Sequence, residues 1–319
     1  MWVCSRQFCS RRPFLRWCRP RFRDDVVSGV KWRHFGAPER KLSQPNVWKP
    51  VGLTLTIGCC SFSVAAVVHY ERHKLPPDNW RKKLRLDEHT FAHTHRTGIY
   101  QRLVDVWKHL SELQKVAVGI IAVNTCIYLL WQVPSFSPFM VRWFMASPLA
   151  GSSVTLLTSA FSHMNFWHLF LNMYVFWSFL YPLERFMSAE SFLAFYVTAG
   201  AASGLASHLA KVLRSSLSPS LGASGALLAI VGMVCFAMPD LKLQVVFLPF
   251  FTISAGKGLL ALMGIDLAGL LLRWQFFDHA GHLGGVLFGC WYLLYGEKAL
   301  WKSYRTRIVE AWKAVTQQK

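Results

Sequence analysis

Long uncharged apolar runs alternate along this chain with short polar stretches that are mostly basic. The first run, Val51 to Val68, lies between Lys49 and His69-Tyr70-Glu71-Arg72 and is long enough for one membrane-crossing helix. Six more follow closely, at about Val116 to Val133, Phe166 to Leu183, Phe192 to Leu213, Ser224 to Met238, Lys257 to Leu272 and Gly281 to Tyr295. The pattern predicts an all-α polytopic membrane protein with one N-terminal transmembrane helix ahead of a six-helix core. Leu241 to Ser254 is apolar but holds Pro249 and is short for a span, which predicts a dipping or interfacial segment. Leu103, Val106, Trp107 and Leu110 share one face of an amphipathic helix expected over Tyr100 to Leu113. The tail carries Trp301, Tyr304, Ile308 and Trp312 among basic residues, the pattern of a helix lying at a membrane interface. The chain therefore divides into residues 1–50, 51–69 (N-terminal helix), 70–114 (basic connecting segment), 115–295 (six-helix core) and 296–319 (basic amphipathic tail).

Charge changes the reading of the first of these. Of the formal net charge of +19, much lies outside the apolar runs, and no nucleic-acid motif accompanies it, so nucleic acid is not an expected partner. Residues 1–23 hold seven arginines and no acidic residue, interleaved with Trp2, Phe8, Phe14, Leu15, Trp17 and Phe22. Such a segment suits a mitochondrial presequence, because the membrane potential draws positive charge inward. Pro38, Pro45 and Pro50 extend it as a basic linker. The eight cysteines have neither disulfide-framework nor zinc-ligand spacing.

The candidate chemistry converges on Ser224, in the small-residue run Gly222-Ala223-Ser224-Gly225 at the mouth of an apolar segment. A hydroxyl there needs an arranged partner. Counting spans, Ser224 opens the fourth core helix, His282 the sixth, and His168 and Asn172 the second, so all four enter from one side. A serine becomes a nucleophile when a base takes its proton, and His282 is the candidate base. Asn172, His168 and the Ser224 backbone N–H are candidate donors to the oxyanion that follows. Gly285 and Gly289 share the His282 face, and Gly222, Gly225, Ala226, Ala229 and Gly232 offer a matching small surface for close helix packing. Asp266, in an apolar run, is read as bonding a neighbouring helix in preference to completing a triad. His279 is a lesser candidate for the base, and His163 a structural hydrogen-bonder or a site contributor.

Gly222-Ala223-Ser224-Gly225, His163-x4-His168-x3-Asn172 and His282-x2-Gly285-x3-Gly289 together resemble the signatures of rhomboid intramembrane serine proteases. The extra N-terminal helix, the presequence and the run Phe276-Phe277-Asp278-His279-Ala280-Gly281-His282 resemble the mitochondrial, presenilin-associated branch of that family. The resemblance implies catalytic Ser224 and His282, an oxyanion site at His168 and Asn172, and no metal or cofactor. It also implies a multi-pass protein of the mitochondrial inner membrane that cuts single-span membrane proteins, with roles in mitophagy and apoptosis. Partners are then the lipid bilayer and such substrates, with a homo-oligomer left open. Arg142-Trp143 stands where many bacterial members carry Trp-Arg, so no role passes to that pair. The competing readings are a catalytically inactive relative that binds membrane segments and an unrelated transporter; both leave the complete serine hydrolase set unexplained.

Overall fold

The computed structural model describes residues 47–74, 98–148, 152–245 and 248–317, all within one unit, Gln44–Lys319. The expected presequence lies outside the described residues. The first apolar run is helix α1 (Trp48–Lys74). The expected amphipathic helix is α2 (Ile99–His109) and stops four residues early, because Ser111 and Gln114 form a capping box that starts α3 (Glu112–Trp131). Leu113 is consequently a buried residue of α3. After the short α4 (Ser137–Phe144) come α5 (Phe166–Ser178), α6 (Ala189–Leu213), α7 (Ser224–Ala237), α8 (Ala255–Leu271) and α9 (His279–Trp291). A π-helical stretch, Tyr292–Tyr304, carries α9 into α10 (Arg305–Thr316).

The fold is the expected helical membrane fold with one exception. Leu241 to Ser254 is mostly a β-hairpin, in which β1 (Lys242–Val245) pairs antiparallel with β2 (Leu248–Ser254). Lys242 and Gln244 are exposed while Leu243 between them packs against the cluster of Val231, Cys235, Leu259 and Val286. That alternation has a period of two, which a helix cannot bury on one side.

Among the described residues, α1, α3 and α6 are long and apolar enough to cross a membrane. Helix α7 is as apolar but has 14 residues, a length of about 21 Å against a hydrocarbon core of about 30 Å. Its first turn opens inside the protein, beside a cleft, where polar backbone finds protein partners.

The core gathers around α6 and α7. Phe192, Phe195, Tyr196 and Ala199 of α6 pack with Ala226, Ala229, Ile230 and Met233 of α7 and with Phe176 of α5. Tyr292 lies between Phe195 and Phe62, with ring centroids 4.8 and 5.8 Å away, and so docks α1 onto the core. The α1 C-terminus meets the α6 N-terminus: His69 Nδ1 and Arg72 Nη1 lie 3.1 and 3.0 Å from the two Glu190 oxygens. The tail stripe packs back onto protein. Tyr304 bonds Ser63 at 2.9 Å, and the Trp312 indole N–H donates to Glu71 at 2.7 Å. At the other end of α6, Ser203 and Ser207 hold the start of α9, so α1 begins at the end where α9 begins.

Candidate active site

The loop before α7 is tied down on both sides. Ser220 exchanges two backbone hydrogen bonds with Ala146, at 2.8 and 2.9 Å, and Gly222 N–H donates to Ser159 at 2.9 Å. Gly222 has φ +133°, and a Cβ there would stand 2.8 Å from the His168 ring. Only glycine takes this conformation and leaves the imidazole room. His163, fully buried, accepts the Ala223 N–H on Nε2 at 3.4 Å. Burial, with His168 beside it, drives His163 down to about 3, so the ring is neutral and free to accept. That bond ties His163 to the backbone next to Ser224.

Ser224 and His282 meet. The hydroxyl lies 2.9 Å from His282 Nε2, within reach for proton transfer. The glycines explain how two backbones come so close. A Cβ on Gly285 would lie 2.1 Å from the Gly225 carbonyl oxygen, and one on Gly289 1.9 Å from that of Ala229. Gly225 itself faces elsewhere than expected, since its Cβ would strike Ser203 of α6 at 1.7 Å. Gly284 is equally tight, 2.3 Å from the Ala206 methyl, so the α9 start is wedged against α6 as well as α7.

Four residues of this wedge were not singled out from the sequence. Ser203 Oγ donates to the Gly281 carbonyl at 2.9 Å. Asp278 caps α9 by accepting the Gly281 N–H at 3.1 Å, and also accepts from Ser207 and, at 3.5 Å, from Lys211. Burial alone would push the Asp278 carboxyl up, but Lys211, Ser207 and the Gly281 N–H outweigh it and hold it below its ordinary range. The one available signal was an aspartate three residues before Gly281 at a helix start; nothing in the sequence pairs it with Ser207 or Lys211, about 70 residues earlier.

His168 lies against Gly222, with its ring 4.8 Å from that of His163. Asn172 sends one amide N–H to the His168 carbonyl at 2.8 Å, which leaves its second N–H for another acceptor. Asp266 is buried, and its Oδ1 lies 3.1 Å from His282 Nδ1 and 2.7 Å from His279 Nδ1. It does bond the neighbouring helix, through both His279 and His282 of α9. His279 spends its Nδ1 on Asp266, while it is the His282 ring that reaches Ser224. A small cleft of about 30 Å³ opens over Ser224, bordered by Leu156, Gly200, Gly204, Leu221, Asp278 and His282. The Ser224 hydroxyl and the His282 ring thus face one cavity, together with Ser159, Ser203 and Ser220, an arrangement suited to acyl transfer.

Residues 150–298 match the rhomboid domain. The mitochondrial presenilin-associated rhomboid-like protein of Homo sapiens is 35% identical over 317 residues, covering 96% of this chain and 83% of the relative. Presenilin-associated rhomboid-like protein A, mitochondrial, of Danio rerio is 36% identical over 295 residues, 86% of this chain and 76% of its own length. Rhomboid protein 1, mitochondrial, of Saccharomyces cerevisiae is 33% identical over 203 residues, 62% of this chain and 58% of its own. With this likeness running along nearly its whole length, the chain belongs to the rhomboid family, among the presenilin-associated rhomboid-like proteins.

Proposed function

We propose that the chain is an intramembrane serine endopeptidase of the mitochondrial inner membrane, crossing it seven times and cutting the transmembrane segments of single-span proteins. The observation that carries this reading is the 2.9 Å contact between Ser224 Oγ and His282 Nε2 at the floor of a cleft. Ser224 is the nucleophile and His282 takes its proton, then returns it to the leaving amine. The Ser224 N–H, His168 and Asn172 hold the oxyanion. A peptide bond inside a helix is shielded by its own turn, so substrates carry helix-weakening residues near the cut. The mitochondrial location rests on the Arg-rich start and on the printed names of the relatives. Roles in mitophagy and apoptosis rest on resemblance alone. The test is labelling by a fluorophosphonate probe of the full chain in proteoliposomes. Wild type is expected to react and Ser224→Ala to stay unlabelled; equal labelling of both would reject the assignment.

A further inference from the structure

Helix α2 buries no residue, yet it sorts its side chains into two faces. At about 100° per residue, Ile99, Leu103, Val106 and Trp107 fall within one arc of about 100°, and Arg102, Asp105, Lys108 and His109 within an opposite arc of about 120°. All four apolar side chains are exposed, Ile99 by 79% and Leu103 by 62%. Covalent geometry fixes where this uncovered stripe lies. Leu110 and Ser111 have extended backbone, so α2 is a separate arm and not a prolongation of α3. Helix α3 has 20 residues, about 30 Å, which matches the hydrocarbon core of a bilayer. Its first turn therefore stands at the headgroup level, and polar contacts gather there: Glu112 pairs with Arg72 and Lys115, and Ser111 donates to Glu184 beyond the end of α5. The same end of the molecule, where α5 and α7 finish, exposes Tyr181, Phe250 and Phe251.

We propose that α2 is an interfacial anchor. It lies in the plane of the bilayer, with Ile99, Leu103, Val106 and Trp107 in the acyl boundary and Arg102 and Lys108 toward anionic lipid phosphates. Two features select a lipid surface as the occupant. The stripe is tethered within two residues of the headgroup level, so lipid meets it at high effective concentration and no partner has to arrive. The polar face is basic, and its one carboxylate, Asp105, is engaged by the Gln101 amide at 3.2 Å. An isolated helix of 11 residues is marginal in water, so the surface also holds α2 helical. Through Ser111 and Glu112 the anchor is joined to Glu184 and to Arg72 of α1, and so sets the depth of the ends of α1, α3 and α5. The inference goes beyond the hydrolase reading and needs only that α3 crosses the membrane.

Two measurements on the full chain test this, in vesicles of phosphatidylcholine alone or mixed with phosphatidylglycerol. In the first, a benzophenone amino acid replaces Leu103 or, about 160° round the helix, Gln101. On irradiation the Leu103 probe is expected to give phospholipid adducts and the Gln101 probe few. Adducts of the Leu103 probe to another part of this chain or to a second copy, equal lipid yields from the two probes, or no adduct at all would overturn the anchor. In the second, hydrogen exchange of the α2 amides reads the strength of the attachment. Leu103→Gln is expected to speed exchange by about tenfold or more in both vesicles. Arg102→Gln with Lys108→Gln is expected to speed it by about tenfold or more in the anionic vesicles, at about fivefold per charge, and by less than about twofold in phosphatidylcholine alone. Because α2 buries no residue, these variants keep the wild-type thermal midpoint in detergent. Exchange that none of the substitutions alters would show that something other than the bilayer holds α2, and overturns the proposal. None of these readouts involves Ser224, so their failure leaves the protease reading standing, and the reverse.

Discussion

Helix α6 joins two ends of the molecule that are held together by different means. At its C-terminal end the contacts are short and made by small groups: Ser203 to the Gly281 carbonyl, Gly284 against Ala206, and nearby the Gly285 position against the Gly225 carbonyl. At its N-terminal end Glu190 meets Arg72 and His69 of α1, Arg72 also pairs with Glu112, and aromatic rings do the packing. Long charged side chains can rearrange when a neighbour changes, whereas a backbone lying against a glycine cannot. The comparison assigns turnover to the first end and stability to the second.

The sharpest way to break that assignment is to add volume at the α7–α9 contact. Gly285→Leu is expected to cut turnover by at least about 100-fold although Ser224 and His282 are untouched, because displacement by about 1 Å is enough for such a loss. Labelling rates of variants matched for membrane level check it, and a wild-type rate would show that this contact does not place the base. Gly284→Leu is expected to suffer too, since it meets α6 instead of open space.

Truncating a proposed oxyanion donor should have a graded effect. Asn172→Ala and His168→Ala are each expected to lower kcat by about 10²- to 10³-fold. Steady-state cleavage of a single-span peptide checks this; unchanged kcat in both would mean that other groups hold the oxyanion.

Asp278 sharpens the comparison through pH. Its carboxyl is held below the ordinary range, so it stabilises the folded chain at and above pH of about 4, and that contribution is lost as pH falls through the lower folded value. Thermal midpoints measured down this pH range should fall for wild type and fall less for Asp278→Asn. Equal slopes would remove Asp278 from the clamp.

The smallest expected effect on turnover lies at the far end. Glu190→Gln should cost about 1–3 kcal/mol of stability by weakening the Arg72 and His69 contacts, with kcat per folded enzyme unchanged. A kcat loss larger than the loss of folded protein would show that the two ends are coupled through α6.

Much of this was legible in the chain because membrane helices announce themselves by length and because the polar residues inside them are few. Ser224, His282 and His168 stood out as the hydroxyl and imidazoles of apolar runs that begin on one side. The β-hairpin is less legible, because an apolar segment that holds Pro249 and is short for a span suits a dipping segment as well, although Lys242-Leu243-Gln244-Val245 already alternates. Asp266 was placed by its position along α8, too far from the start of a helix to seem near the base. Helices that cross at an angle bring the middle of one beside the first turn of another, and no periodicity within α8 reports that. The same limit hid Ser203, Ser207 and Lys211, whose role depends on where α6 ends relative to α9.

The central claim is that Ser224, activated by His282, performs hydrolysis at this cleft. The most direct measurement is cleavage of a purified single-span protein by the full chain in proteoliposomes, comparing wild type with Ser224→Ala and His282→Ala at matched, folded levels. The account predicts cleavage by wild type and no detectable product from either variant. Product formation by Ser224→Ala at the wild-type rate would contradict it.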